Sequence, residues 1–114
     1  MSKVIAYVKD LFFATKIAET GKQNNEYVIF VKNESELFDQ ISKNTELIIF
    51  DLNNKNLDLN IIKEIRCNHT LSKVSIIGFI PHVEVKLRKK ALELGFDKVY
   101  ARSEFSKKLA EIIW

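Results

Sequence analysis

The chain has one cysteine, one proline and three glycines in 114 residues, and each shortage removes a class of protein. The lone Cys67 leaves no internal disulfide and no multi-cysteine zinc site. So little glycine and proline excludes collagen-like, linker and low-complexity chains. No apolar run approaches the ~18 residues that read as a membrane span. The apolar stretch within Met1 to Asp10 is only strand-length and soon charged, unlike a signal peptide, so the expected location is the cytoplasm. Charge of one sign is not concentrated either. The balance is 18 Lys plus Arg against 15 Asp plus Glu, a net +3 spread along the chain, whereas nucleic-acid binders gather basic charge on one face. What remains is an ordinary globular mixture, 46% apolar and 29% charged. It suits one domain over residues 1–114 that buries roughly two thirds of its unfolded surface.

Short β-rich runs alternate with longer amphipathic segments. The first run, Lys3 to Val8, precedes LFFATKIAET, whose inward face is either Phe13, Ile17 and Thr20 or Phe12, Phe13, Lys16 and Ile17, with Gly21 as its stop. Tyr27 to Val31 precedes ESELFDQISK, with Leu37, Phe38 and Ile41 at helical spacing and Ser35 or Asn33 as cap. Leu47 to Leu52 leads through an Asn-rich loop to LDLNIIKEIRC, where Leu57, Ile61, Ile62 and Ile65 form a stripe and Asp58 is the expected N-cap. Val74 to Ile80 ends at Pro81, and VEVKLRKKALEL then turns Val83, Leu87, Ala91 and Leu94 inward before Gly95. Lys98 to Ala101 leads to SEFSKKLAEIIW, with Ser103 as expected N-cap and Phe105, Leu109, Ile112 and Ile113 inward. Five βα units predict a parallel sheet with helices on both faces. The near-continuous apolar strands agree, because both faces of each are covered.

Ligands of such sheets bind beyond the carboxyl ends of the strands. There the sequence places Lys9 and Asp10, then Asp51 and Asn53, then Pro81 and His82, then Arg102 and Ser103. No glycine-rich loop follows any strand, so a dinucleotide fingerprint and a P-loop are both absent. Asp51 is the most telling residue. It ends the apolar strand IIFD, where a carboxylate needs cationic, metal or hydrogen-bond partners. Lys9 and Arg102 are the candidate cations, and Asp10 is a second acid that could share a metal.

The stretches LIIFDLNNKNLDLNIIKEIR and ALELGFDKVYAR resemble the receiver domain of two-component response regulators, the CheY-type family. The likeness spans the whole chain. It implies a doubly wound, flavodoxin-like (βα)5 fold with strand order 2-1-3-4-5. It also implies a phosphoryl-accepting aspartate at Asp51, an acidic-pocket residue at Asp10, and a metal-binding carbonyl at Asn53. Asp10, Asp51 and Asn53 would then be the ligands of a weakly held Mg²⁺. The departures bear on the same site. Lys9 replaces the first of the family's two acids, and Phe79 or Ile80 stands where a hydroxyl residue is usual. Arg102 replaces a lysine and Ser103 a proline. Val99 replaces the aromatic switch residue, with Tyr100 one place on and facing the other way. The loop after Asp51 is one residue short. The resemblance therefore points to a degenerate, stand-alone receiver in which a Lys9–Asp51–Arg102 cluster neutralises the carboxylate, with Arg102 able to hold Asp51 bidentately.

Each candidate has a plainer alternative. Asp10 is also a good N-cap, Lys9 could reach solvent, and Arg102 could be a solvated strand end. His82 is either an exposed imidazole or a pH-sensitive neighbour of Asp51. His69 reads as a loop residue, Cys67 as an inert helix end, and the position of Trp114 is open. Lys86, Lys89 and Lys90, continued by Lys98, Lys107 and Lys108, are either a solvated surface or a basic face of helix four, strand five and helix five that meets an acidic output protein. A histidine kinase is the other expected partner, and the chain is expected to be a monomer or weak homodimer. A genuine Mg²⁺-dependent phosphoacceptor is the alternative function. A small enzyme pairing Asp51 with His82 as acid and base ranks last, because no long loop insertion builds a pocket.

Overall fold

The structure, a computed structural model, describes residues 3–53, 57–68, 73–81 and 84–113. His69, His82, Val83 and Trp114 lie outside the described residues. Strands β1 (Lys3–Tyr7), β2 (Tyr27–Phe30), β3 (Thr45–Asp51), β4 (Ser75–Ile80) and β5 (Lys98–Ala101) alternate with helices α1 (Leu11–Gln23), α2 (Glu34–Gln40), α3 (Ile61–Cys67), α4 (Val85–Leu94) and α5 (Arg102–Ile113). The strands form one sheet in the order β2-β1-β3-β4-β5, with every pair parallel. The expected doubly wound (βα)5 architecture is therefore the one observed.

The apolar runs are unbroken because alternate residues of each strand feed two different cores. Ile48 and Phe50 of β3 join Ile5, Leu37, Ile62, Ile65, Ala91 and Phe96, beneath α2, α3 and α4. Leu47 and Ile49 join Phe13, Ile17, Phe105, Leu109 and Ile113, beneath α1 and α5. Val99 and Tyr100 fall on opposite sides in the same way. Phe79, Phe105 and Phe13 form an aromatic stack in the second core, with the Phe79 and Phe105 rings nearly parallel and their centroids 4.7 Å apart.

Several local expectations are corrected. Gly21 does not stop α1, which continues to Gln23. It is instead a point of close approach, since a Cβ there would lie 2.6 Å from Val28 Cγ2 on β2. The stop is Asn25, at φ 58°. The Glu26 N–H donates to the Gly21 carbonyl at 2.8 Å and the Asn25 N–H to the Lys22 carbonyl at 3.3 Å, the paired bonds of a left-handed helix terminus. Of the two faces considered for α1, Phe13 and Ile17 are buried while Phe12 is exposed. In α2 the cap is Asn33, whose Oδ1 accepts from the Glu36 N–H at 2.8 Å, and Phe38 is half exposed. Asp58 does not cap α3 directly: it accepts from the Asn60 N–H at 2.9 Å, forming a turn before the helix starts at Ile61. Ser103 lies inside the first turn of α5, which begins at Arg102 straight after β5.

Two features tie the loops to the sheet. At the amino end, the Arg66 guanidinium on α3 donates to the carbonyls of Gly95 (2.9 Å) and Val74 (2.6 Å) and to Asp97 Oδ2 (2.7 Å). The same Asp97 oxygen accepts from the Ile76 N–H at 2.7 Å. In mid-β4, Gly78 leaves room for two large neighbours: a Cβ there would be 2.9 Å from Phe96 Cε2 and 3.0 Å from Leu52 Cδ1.

Candidate functional site

The chain runs from β1 outward to β2 and then returns to place β3 on β1's other side. Strand order reverses there, so β1 and β3 diverge above their carboxyl ends and leave a crevice. Asp51 ends β3 and Asp10 lies just past the end of β1, so the fold itself brings the two acids together. The backbone N–H of Asp10 donates to Asp51 Oδ2 at 3.1 Å. The Asn53 N–H donates to Asp51 Oδ1 at 3.0 Å. Asp51 is 4% exposed, so both oxygens of a buried carboxylate are satisfied by main-chain donors.

Asp10 is equally committed. Its Oδ1 accepts from the N–H groups of Phe12 (2.9 Å) and Phe13 (3.3 Å), capping α1. Its Oδ2 accepts from Arg102 Nη2 at 2.7 Å. The Arg102 guanidinium also lies over the Phe13 ring, 4.9 Å from its centroid. The aromatic stack thus aims the cation at Asp10. Asp10, Asp51, Asn53, Phe79, Pro81 and Arg102 line a cleft of about 10 Å³, close to the volume one water needs.

Asp10, Asp51, Asn53 and Arg102 are therefore brought together, but the expected pairing is corrected. Arg102 meets Asp10, and the partners of Asp51 are amides. Lys9 joins neither acid; it is exposed on the other side of β1. Phe79, the β4 residue in register with Asp51, lines the cleft and presents no hydroxyl to it. His82 lies outside the described residues. Two contributors went unread in the sequence: the main-chain donors of Asp10 and Asn53, and Phe13 as the platform for Arg102. The N-cap pattern of Asp10 was the available signal for the first.

Mg²⁺ requires an octahedral shell of hard oxygens, several of them waters. Here the oxygens of both acids already accept hydrogen bonds, a guanidinium holds the outward one on Asp10, and the cleft has the volume of one water. Among the described residues no three His, Cys, Asp or Glu side chains cluster as metal ligands. In this arrangement a hydrated Mg²⁺ would have to displace Arg102 from Asp10 and widen the cleft.

No family model matches the chain, and no curated protein matches it by sequence. Solved structures do match in shape. A response regulator from Hahella chejuensis superposes with TM-score 0.85 at 16% identity, covering 99% of this chain and 92% of that one. The chemotaxis response regulator CheY4 of Vibrio cholerae gives 0.80 at 15%, covering 99% and 96%. A response regulator from Thermotoga maritima gives 0.79 at 18%, covering 99% and 94%. At these identities the likeness establishes the fold. Among the described residues no helix is long and apolar enough to cross a membrane.

Proposed function

We propose that this protein is a receiver-like signalling module that works in the cytoplasm through protein–protein contact, with a phosphorylation site that no longer operates. The observation that carries the reading is the 2.7 Å contact of Arg102 with Asp10. A fixed cation takes the position where a receiver would need an exchangeable metal. Phosphoryl transfer to an aspartate needs positioned positive charge on the transferring oxygens. In this chain that charge is held by the neighbouring acid, and Phe79 offers no hydroxyl to a phosphoryl group.

Output through surface contact is supported by Lys86, Lys89, Lys90, Lys98, Lys107 and Lys108, which are all exposed on α4, β5 and α5. An acidic protein is the complementary partner. The alternative, a working phosphoacceptor fed by a histidine kinase, draws on the placement of Asp51 beside Asp10 at the crevice. Intact-mass spectrometry after incubation with acetyl phosphate and Mg²⁺ separates the two. The unmodified mass is expected. A phosphoryl adduct that disappears in Asp51→Asn would establish the alternative.

A further inference from the structure

On the opposite side of β1 from the acids, above the carboxyl ends of β1 and β2, lies a second hollow of about 410 Å³. Its volume is within the range of small-ligand sites, roughly 300–1,000 Å³. Its walls are Tyr7, Val8, Leu11, Ala14, Phe30 and Val31, and its polar groups are the exposed side chains of Lys9 and Lys32. Leu11 is 82% and Phe30 39% exposed, so large apolar side chains face water at its rim. Lys9 and Lys32 have no ion pair or hydrogen bond among the described residues. Each lies two residues beyond the end of one of two adjacent, parallel-paired strands.

We infer that this hollow binds an organic anion with an apolar body, such as a medium-chain or bicyclic aromatic carboxylate. The three features select the class together. An inorganic anion would satisfy the ammonium groups but leave the apolar walls wet. A neutral hydrocarbon would cover the walls but leave two adjacent positive charges without a counterion. An amphiphilic carboxylate does both, burying Leu11 and Phe30 while its head lies between Lys9 and Lys32. The site is independent of how Asp51 is used, because its lining excludes Asp10, Asp51 and Arg102.

The test is a two-dimensional amide NMR titration of the full chain with octanoate and with 2-naphthoate, set against acetate and octylammonium. Saturable shifts at Lys9, Leu11, Ala14, Val31 and Lys32 are expected with one or both apolar carboxylates. Acetate and octylammonium should bind at least about tenfold more weakly, because each lacks one half of the recognition. Lys9→Glu combined with Lys32→Glu should weaken the carboxylate by about tenfold or more while leaving the rest of the spectrum in place. Ala14→Leu, which narrows the hollow without touching charge, should weaken it as well. Three results would overturn the proposal. They are equal binding of octylammonium, shifts that map elsewhere, and silence towards both carboxylates through the millimolar range. Saturation by an acidic peptide bearing leucine and phenylalanine, with no response to either carboxylate, would assign the hollow to a protein partner instead.

Discussion

Replacing Arg102 by methionine removes the guanidinium while keeping most of the apolar stem. The pair it breaks is neither fully wet nor fully dry, with side-chain exposures of 41% for Arg102 and 26% for Asp10. An exposed ion pair contributes about 0.5 kcal/mol, and a well-buried charged hydrogen bond about 2 kcal/mol. A value near 1 kcal/mol is appropriate between them. Losing the cation from the Phe13 face adds about 0.5–1 kcal/mol. The total of about 1.5–2 kcal/mol should lower Tm by roughly 6–8 °C for a domain of this size. Thermal unfolding should then be repeated with MgCl2 and with NaCl at matched ionic strength. In Arg102→Met the outward oxygen of Asp10 is released, and Mg²⁺ at ten times its Kd would return about 1.4 kcal/mol. The unsubstituted protein should show no Mg²⁺-specific shift. Equal stabilisation of both proteins by Mg²⁺ would refute the argument, because it would mean that the guanidinium does not hold the cation position.

Other substitutions test the scaffold. Phe105→Ala removes the ring packed against Phe13, Phe79 and Tyr100 and should cost about 3–5 kcal/mol in denaturant unfolding. Arg66→Met removes the donor that two carbonyls share with Asp97, which keeps only its Ile76 N–H; a loss of about 2–3 kcal/mol is expected, read as a lower urea midpoint with unchanged slope. Gly95→Ala places a Cβ at φ 126° and 2.9 Å from Arg66 Cγ, which should cost at least about 1–2 kcal/mol. Asn25→Gly should be neutral or slightly stabilising and Asn25→Val destabilising by about 1 kcal/mol or more, because only the second opposes φ 58°.

The order of elements could be read from the sequence because every strand except edge strand β2 is buried on both faces and each helix on one, so strands and helices carry different apolar periods. That reading also placed Asp10, Asp51 and Arg102 at one end of the sheet, since parallel strands all finish on the same side. It could not assign partners. Which acid Arg102 meets depends on the Phe13 ring, and that ring's direction is a product of packing between α1 and α5. Lys9 was misassigned for a related reason: neighbouring residues past a strand end leave on opposite sides, and only Asp10 turned toward the crevice. Gly21 was misread because a close helix–strand approach has the same local signature as a helix stop. Phe38 shows the opposite failure: it has helical spacing, but Leu37 takes the buried position on α2 and Phe38 stays half exposed.

The gap at Gly78 has a mechanical consequence. Leu52, which rests in it from one side, is the covalent link between Asp51 and Asn53. Phe96, which rests in it from the other, begins the turn into β5 and so neighbours the lysine-rich surface. Both side chains lie within about 3 Å of the place a Cβ would take, so an added methyl would press on both. A single missing methyl thus makes the acidic crevice and the basic surface share one boundary, and a methyl restored there would be felt at both ends.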